Sequence, residues 1–469
     1  MKKFTLASLS LDPQIWYIDG VDNLLKNRLP TRAPARRDPS HPFPALGDTM
    51  QSFTFVHAAD LHLDSPFSGL TARAPLMAQV MRDATFKAFS SVVDLCLEEN
   101  AAFLLLSGDL FEWEEKSLRA ASAFYDGVRR LGEKGIPVFA VHGNHDPAAS
   151  RPLPLKAPEN LYVFGHEEVE TREVIRDGEV IARVSGISYA AREEKRNLAT
   201  LFPKGKPGGP FHAGVLHANV GGNTGHADYA PCSLADLTAA GVDYWALGHV
   251  HEHRVVSESP MAVYPGNTQG RSFRETGQRG CCLVKVQGRR SRVRFVATDS
   301  FRFLARDLSI EPFDDLADLE DALCEAVGDL ASQTGGRPLV ARVALTGRSP
   351  LYEELSRTGV LPDLVERGRV RFFDGAEGVF LEDLDARFKP GLDLPQRMRA
   401  GDLVGQVLSL AAEAAASPEA LELIRDRALG ELFGNRDLTL VAGQPDDEEL
   451  AQLLEEAGLL CMDLLEGGA

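Results

Sequence analysis

The sequence predicts a layered α/β domain, then a smaller α+β unit and a helical segment, and three observations predict it. Between 53 and about 297, apolar runs of strand length alternate with helical patterns, which implies helices layered on sheets. From about 300 the alternation loosens, and beyond Gly378 only helical periodicity is read. Composition is globular, with 44% hydrophobic and 25% charged residues in a chain of 469, enough for two or three domains. The expected boundaries are 1–50, 51–299, 300–375 and 376–469.

Taken in order, 1–50 reads poorly as structure. Its stretch 29–44 contains five prolines beside Arg36, Arg37 and Asp38, without periodic apolar positions. A flexible tail is expected; because Met50 directly precedes the first strong strand, the alternative is that translation starts there and 1–49 is not made. Strands are expected at 53–58, 103–107, 137–141, 181–187, 213–217, 244–247, 262–264 and 280–286. Helices are expected at 76–99 and 116–134, the second closed by Gly135 and Pro137. In such a domain functional loops follow the carboxyl ends of strands.

Beyond 300, the segment 302–309, strands at 339–345 and 370–373, and helices at 314–330 and 351–366 are expected to make a small α+β unit. In the last segment Leu450, Leu453, Leu454, Ala457, Cys461, Leu464 and Leu465 fall at helical spacing behind Asp446 and Asp447. That stripe either packs on its own domain or offers a docking face.

Charge is placed unevenly. Residues 301–469 hold 16 basic against 34 acidic residues, which accounts for the whole net charge of −18, so 1–300 is neutral overall. Within 252–299 nine basic residues face four acidic ones. Overall acidity therefore does not exclude a nucleic-acid partner, since the local field and bound cations decide. No run approaches the roughly 18 apolar residues of a membrane span and no secretory signal is read, so a cytoplasmic protein without membrane association is expected. The six cysteines (Cys96, Cys232, Cys281, Cys282, Cys324 and Cys461) form no Cys-x-x-Cys pair; neither disulfides nor a zinc ribbon is indicated, and Cys281 and Cys282 read as buried thiols.

Five short segments carry the chemistry: Asp60-Leu-His62, Gly108-Asp109, Gly143-Asn144-His145-Asp146, His217 and Gly248-His249-Val-His251. Each alone also reads as a turn or a surface histidine. Together, each after an apolar strand, they supply the carboxylates, imidazoles and amide oxygen that two divalent cations roughly 3.5–4 Å apart require for phosphate ester hydrolysis. Mixed nitrogen and oxygen donors suit Mn²⁺, Fe or Zn²⁺ better than Ca²⁺ or Mg²⁺.

Ala59-Asp60-Leu61-His62, Ser107-Gly108-Asp109-Leu110-Phe111, Gly143-Asn144-His145-Asp146, Leu216-His217 and Gly248-His249-Val250-His251 resemble the signature of calcineurin-like metallophosphoesterases. The segments 59–67 and Tyr264-Pro-Gly-Asn-Thr-Gln-Gly270 resemble, more narrowly, the SbcD/YhaO-type DNA exonucleases. The resemblance implies a four-layer α-β-β-α sandwich, with Asp60, His62 and His251 holding one ion, Asp109 bridging, and Asn144, His217 and His249 holding the other. It implies in-line hydrolysis, with His145 stabilising the transition state or protonating the leaving oxygen, and Asp146 is expected to orient His145. Manganese is the expected metal, with iron or zinc as alternatives. Some nucleases of this superfamily carry a histidine three residues after the bridging aspartate; this chain has Glu112.

The loop after the last ligands offers Asn267, Arg271, Phe273 and Arg274, with His253 nearby, as contacts to a DNA strand; the alternative is a surface turn. His57, His142, His212 and His226 match no ligand position, and Arg289, Arg290, Arg292 and Arg294 read as the solvated face of an edge hairpin. No Gly-x-x-x-x-Gly-Lys-Ser/Thr occurs. The resemblance implies a separate coiled-coil, SMC-like ATPase as partner, with 300–375 positioning DNA and the acidic C-terminal segment docking; a homodimer is also compatible. The expected activity is that of a metal-dependent DNA exonuclease in repair. The alternatives are a small-substrate phosphodiesterase, for a cyclic nucleotide or nucleotide sugar, and a DNA-end-binding scaffold with little catalysis.

Overall fold

The computed structural model describes residues 52–65, 67, 75–112, 117–150, 155–204, 209–222, 229–373, 378–429 and 445–466. The tail expected at 1–50 and His226 lie outside them. In chain order the first domain runs β1 (Ser52–Ala58), α1 (Pro75–Glu98), β2 (Leu104–Ser107), α2 (Leu118–Gly132), β3 (Val138–Val141), β4 (Leu161–Val163), β5 (Glu170–Arg176), β6 (Glu179–Gly186), β7 (Phe211–His217), α3 (Leu234–Ala239), β8 (Tyr244–Gly248), β9 (Arg254–Glu258), β10 (Met261–Tyr264), β11 (Gly280–Gln287) and β12 (Arg290–Ala297). They form two six-stranded sheets, ordered β12-β11-β1-β2-β3-β4 and β5-β6-β7-β8-β10-β9.

Alternation along β1 explains the layering. Phe55 joins the core between the sheets, stacked on Phe103 with centroids 4.7 Å apart and meeting Tyr244 edge-on. Val56 and Ala58 point the other way, into a core shared with Phe89, Val92 and Phe124 of α1 and α2. The outer face of the second sheet packs Leu216, Trp245 and Leu247 against Leu198 and Leu237. Helices, sheet, sheet and helix thus make the four-layer sandwich. Cys281 and Cys282 are buried free thiols in β11, and Arg290–Ala297 is the edge strand beside it.

The α+β unit holds β13 (Arg302–Ser309), α4 (Leu316–Ser332), β14 (Leu339–Thr346), β15 (Arg348–Ser349), α5 (Tyr352–Leu355), α6 (Val360–Phe373), β16 (Val379–Ala386) and β17 (Lys389–Pro390), its three-stranded sheet running β13-β14-β16 in parallel. Two expectations are corrected. Residues 370–373 end α6 rather than forming a strand. The third strand is Val379–Ala386, where only helix was expected; three acidic residues hide its pattern, and one of them, Glu382, pairs with Arg342 on β14 at 2.9 Å. In the helical segment, α8 (Leu403–Ala415), following α7 (Leu394–Met398), packs on the last helix, Asp447–Glu466, through Val404, Leu408 and Met462. The apolar stripe divides: Leu450 is buried, while Leu453, Leu464 and Leu465 are exposed. Among the described residues no helix is long and apolar enough to cross a membrane.

Candidate metal centre

Every expected ligand sits at or just past the carboxyl end of a strand, and both sheets contribute. Asp60 and His62 follow β1, Asp109 follows β2, and Asn144 to Asp146 follow β3; His217 ends β7, and His249 and His251 follow β8. Because the sheets are stacked with these ends on one rim, five loops converge. The backbone turns hard there. Asp60, His62, Asp109 and His249 have φ of 51°, 43°, 51° and 101°, a region costly for residues with a Cβ. Hydrogen bonds hold the turns: Asp60 N–H donates to Gly108 O, His62 N–H to Asp109 O, and His145 N–H to the Asp109 carboxylate at 2.8 Å. Glycine is required where loops touch, since a Cβ on Gly143 would lie 2.3 Å from Asp109 Oδ1 and one on Gly248 1.9 Å from Ser107 O.

The donors form three overlapping groups, Asp60 with His62 and His251, His62 with Asp109 and His145, and Asp60 with Asp109 and His217, each with its ligand atoms within 4.8 Å of one another. Asp109 is common to two: its Oδ2 lies 3.9 Å from His62 Nε2 and 3.5 Å from His217 Nε2. Asn144 Oδ1 lies 3.0 Å from His217 Nε2 and 3.2 Å from His249 Nδ1.

Proton placement shows that these donors suit cations. His217 Nδ1 is 2.8 Å from Ser107 O, which only accepts, so that nitrogen carries the proton and Nε2 presents a lone pair. His251 Nδ1 bonds Glu275 at 2.7 Å, which leaves its Nε2 a lone pair, 3.4 Å from His62 Nε2, while His62 Nδ1 stands 2.9 Å from Glu112. At His217/Asn144 the Nε2 lone pair faces the amide oxygen at 3.0 Å, a pair of donor atoms suited to a cation.

Electrostatics agree. Burial pushes the Asp109 carboxyl up to about 7, and Asp146 adds to the rise. Burial, then the neighbouring Asp109, raises Asp60 well above the usual range. Burial lowers His217 to about 3 and holds His62 well below the usual imidazole range, with the Arg271 charge assisting at His62. Burial works against the charged form of His145, but its bond to Glu112 and the Asp109 charge leave it raised.

Around the donors lies a ring that the sequence reading missed. Glu112 accepts from His145 Nδ1 at 2.6 Å and from Arg271 Nη1 at 2.8 Å, in addition to facing His62. Glu275 accepts from His251 Nδ1, from the Arg271 backbone N–H at 2.7 Å and from Asn267 Nδ2 at 2.9 Å. The position of Glu112, three residues after Asp109, was a visible signal for the first; Glu275 has none.

Several expectations are corrected by placement. Asp146 does not reach His145; its oxygens accept from Gly143 N–H and Leu110 N–H and so pin two loops together. Asn267 is fully buried, its amide spent on Gln269 O and Glu275. Arg271 faces the centre but is engaged by both glutamates, its side chain 17% exposed. Phe273 packs on Phe303, and His253 lies against Phe295 with Nδ1 bound to Tyr264 O. Arg274 alone of the five is exposed. His57 is a core histidine: Ser107 Oγ donates to Ala246 O, so His57 Nε2 donates to Ser107 and Tyr244 OH donates to Nδ1.

Residues 53–253 match the calcineurin-like phosphoesterase family, and residues 303–389 match the middle domain of metallophosphoesterase YhaO. The metallophosphoesterase YhaO of Bacillus subtilis (strain 168) is 35% identical over 321 residues, covering 68% of this chain and 77% of that protein. The DNA double-strand break repair protein Mre11 of Aeropyrum pernix is 29% identical over 225 residues, covering 45% of this chain and 52% of that protein. The chain thus spans about half the length of that repair protein. The crystal structure of TT1561 of Thermus thermophilus aligns with 52% of this chain and 99% of its own, at 15% identity and a TM-score of 0.31.

Proposed function

Because the chain belongs to the calcineurin-like metallophosphoesterases, of the YhaO type, we propose that it hydrolyses phosphodiester bonds of DNA, working inward from ends, with two divalent ions held by Asp60, His62 and His251 and by Asn144, His217 and His249, Asp109 serving both. The observation that carries the reading is the position of Asp109, whose Oδ2 lies between His62 Nε2, on the loop after β1 of the first sheet, at 3.9 Å and His217 Nε2, at the end of β7 in the second, at 3.5 Å. The ions would supply Lewis acidity and a deprotonated water at neutral pH; manganese is the proposed metal, with iron or zinc as alternatives. His145 is the one imidazole of the cluster that stands outside both proposed ligand sets, and with Nδ1 bonded to Glu112 it keeps Nε2 for a phosphate oxygen or the departing oxygen.

DNA is favoured over a small phosphodiester by the similarity to the Mre11 repair protein and by the α+β unit and helical segment that follow the catalytic domain. A coiled-coil ATPase partner, docking of the acidic helical segment on it, and a cytoplasmic, nucleoid-associated location belong to the same proposal. The full chain with Mn²⁺ is expected to shorten labelled linear duplex from its ends, and Asp109→Ala and His145→Ala to abolish this while retaining the fold. Turnover of bis(p-nitrophenyl) phosphate with no DNA cleavage, under Mn²⁺, Fe²⁺ and Zn²⁺ alike, would overturn the substrate assignment.

A further inference from the structure

Phe273 is held between the catalytic domain and the α+β unit. Along β14 the side chains alternate: Leu339, Ala341, Val343 and Leu345 face the helices of their own unit. Phe303, Val340 and Phe380 face the other way and meet Phe67, Met81 and Phe301. Phe273 joins this second face, its centroid 5.0 Å from that of Phe303 at an interplanar angle of 66°, with the Arg342 guanidinium 4.0 Å from it. Arg342 is fixed in turn by Glu382, whose Oε2 accepts from Nε at 3.0 Å and Nη2 at 2.9 Å.

Two residues to either side of Phe273 stand Arg271 and Glu275, the latter holding His251 Nδ1 at 2.7 Å. The same loop is tied to the start of the α+β unit, because the Gly277 backbone N–H donates to Phe303 O in β13 at 3.0 Å and the Gln269 side-chain Nε2 donates to Phe301 O just before it at 3.1 Å. One short loop therefore grips a metal-site imidazole at one end and the first strand of the next unit at the other.

Resting on the reading of His251 as a metal ligand, the geometry points to Phe273 and Arg342 as positioning residues: by clamping Phe273, the α+β unit holds Glu275, and through it the tautomer and ring orientation of His251, so that the affinity of one of the two metal positions is set from outside the catalytic domain. An imidazole whose Nδ1–H is held by a carboxylate presents Nε2 without reorganisation. Loosening the carboxylate lets the ring turn. Removing such direct partners typically costs about 10–100-fold in metal affinity, and one step further out about 10-fold is expected.

The test is Mn²⁺ titration calorimetry on the chelator-stripped full chain, with thermal melting as a control for folding. His251→Ala and Glu275→Gln are expected to weaken one of two ions. Phe273→Ala and Arg342→Met should weaken the same ion about 10-fold and leave the other unchanged, Arg342→Lys, which keeps the charge but not the planar two-bond contact, should fall between Arg342→Met and wild type, and Phe273→Ala should add nothing in a Glu275→Gln background. If His251→Ala weakens an ion and the folded Phe273→Ala and Arg342→Met proteins do not, the positioning role is overturned and the ligand reading stands. If His251→Ala leaves both ions unaffected, the ligand reading fails and takes this inference with it. Should Phe273→Ala not fold, Arg342→Met decides.

Discussion

His145 Nδ1 and Glu112 Oε2 are 2.6 Å apart, and the same carboxylate accepts from Arg271 at 2.8 Å. A charge-assisted bond of this length fixes the imidazole plane and reserves Nε2. If Nε2 acts on the leaving oxygen, its loss matters most where that oxygen is basic. His145→Ala is expected to lower kcat about 10²–10⁴-fold on an alkyl phosphodiester, the usual worth of a general acid, and far less on a p-nitrophenyl ester. Glu112→Gln should show the same selectivity at smaller size. The check is kcat against leaving-group pKa for the three proteins; equal losses on both esters would exclude the role.

The same cluster is built against stability. Burial raises the Asp109 carboxyl to about 7, so between the usual carboxylate range and 7 the folded state holds a proton that the unfolded chain has released. Stability of the metal-free protein therefore falls as pH rises through that window. Asp109→Asn is expected to raise the melting temperature of the chelator-treated protein at pH 8, and to remove the rise that Mn²⁺ gives the wild type. Differential scanning calorimetry with and without Mn²⁺ reads both; a variant that melts lower without metal would contradict the account.

His57 gives the opposite pH sign at a site away from the ions. Burial lowers its pKa to about 3, whereas the unfolded imidazole takes up a proton near its ordinary value, about 6.5. Between these limits the unfolded chain binds the extra proton, so stability is lost as pH falls from about 6.5, at about 1.4 kcal/mol per pH unit for this group. His57→Gln, which can keep partners for Ser107 and Tyr244, should flatten that slope relative to wild type. Urea unfolding between pH 7 and pH 5 measures the difference.

What could be read from the chain, and what could not, divides along a physical line. The candidate ligands were legible because each ends or follows an apolar strand, and strand ends on one rim converge whatever the loops between them do. Glu112 could be noticed but not given a partner, and Glu275 could not be noticed at all, because a carboxylate that holds a ligand from behind needs no fixed spacing from it. Val379–Ala386 was hidden by Glu382, Asp383 and Asp385, although Glu382 is tied to Arg342 across the sheet. Phe273 and Asn267 lie in a basic loop that reads as surface, but Phe273 is half-buried against Phe303 of the α+β unit and Asn267 is buried with its amide bonded to Gln269 and Glu275 of its own loop.

Asp299 ties the start of the α+β unit to the catalytic domain. Its carboxylate is fully buried, accepts from Arg302 Nε at 2.7 Å and pairs with Arg337, whose Nε lies 3.0 Å from Oδ1 and donates to the Asp299 carbonyl oxygen at 2.7 Å, where the chain leaves the catalytic domain for β13. Arg302 is itself buried, with Nη1 donating to Gln333 O at 3.2 Å, so truncating the aspartate strands a guanidinium that has nowhere to be hydrated. Removing one partner of such a pair costs about 3–5 kcal/mol. Asp299→Ala is therefore expected to lose about that much stability in urea unfolding. Asp299→Asn, which keeps one accepting oxygen but no charge, should lose less, and Arg302→Met with Asp299→Leu less than Asp299→Ala alone, because the pair is then removed whole. A double variant as unstable as the sum of its singles would show that the two residues do not act as a pair.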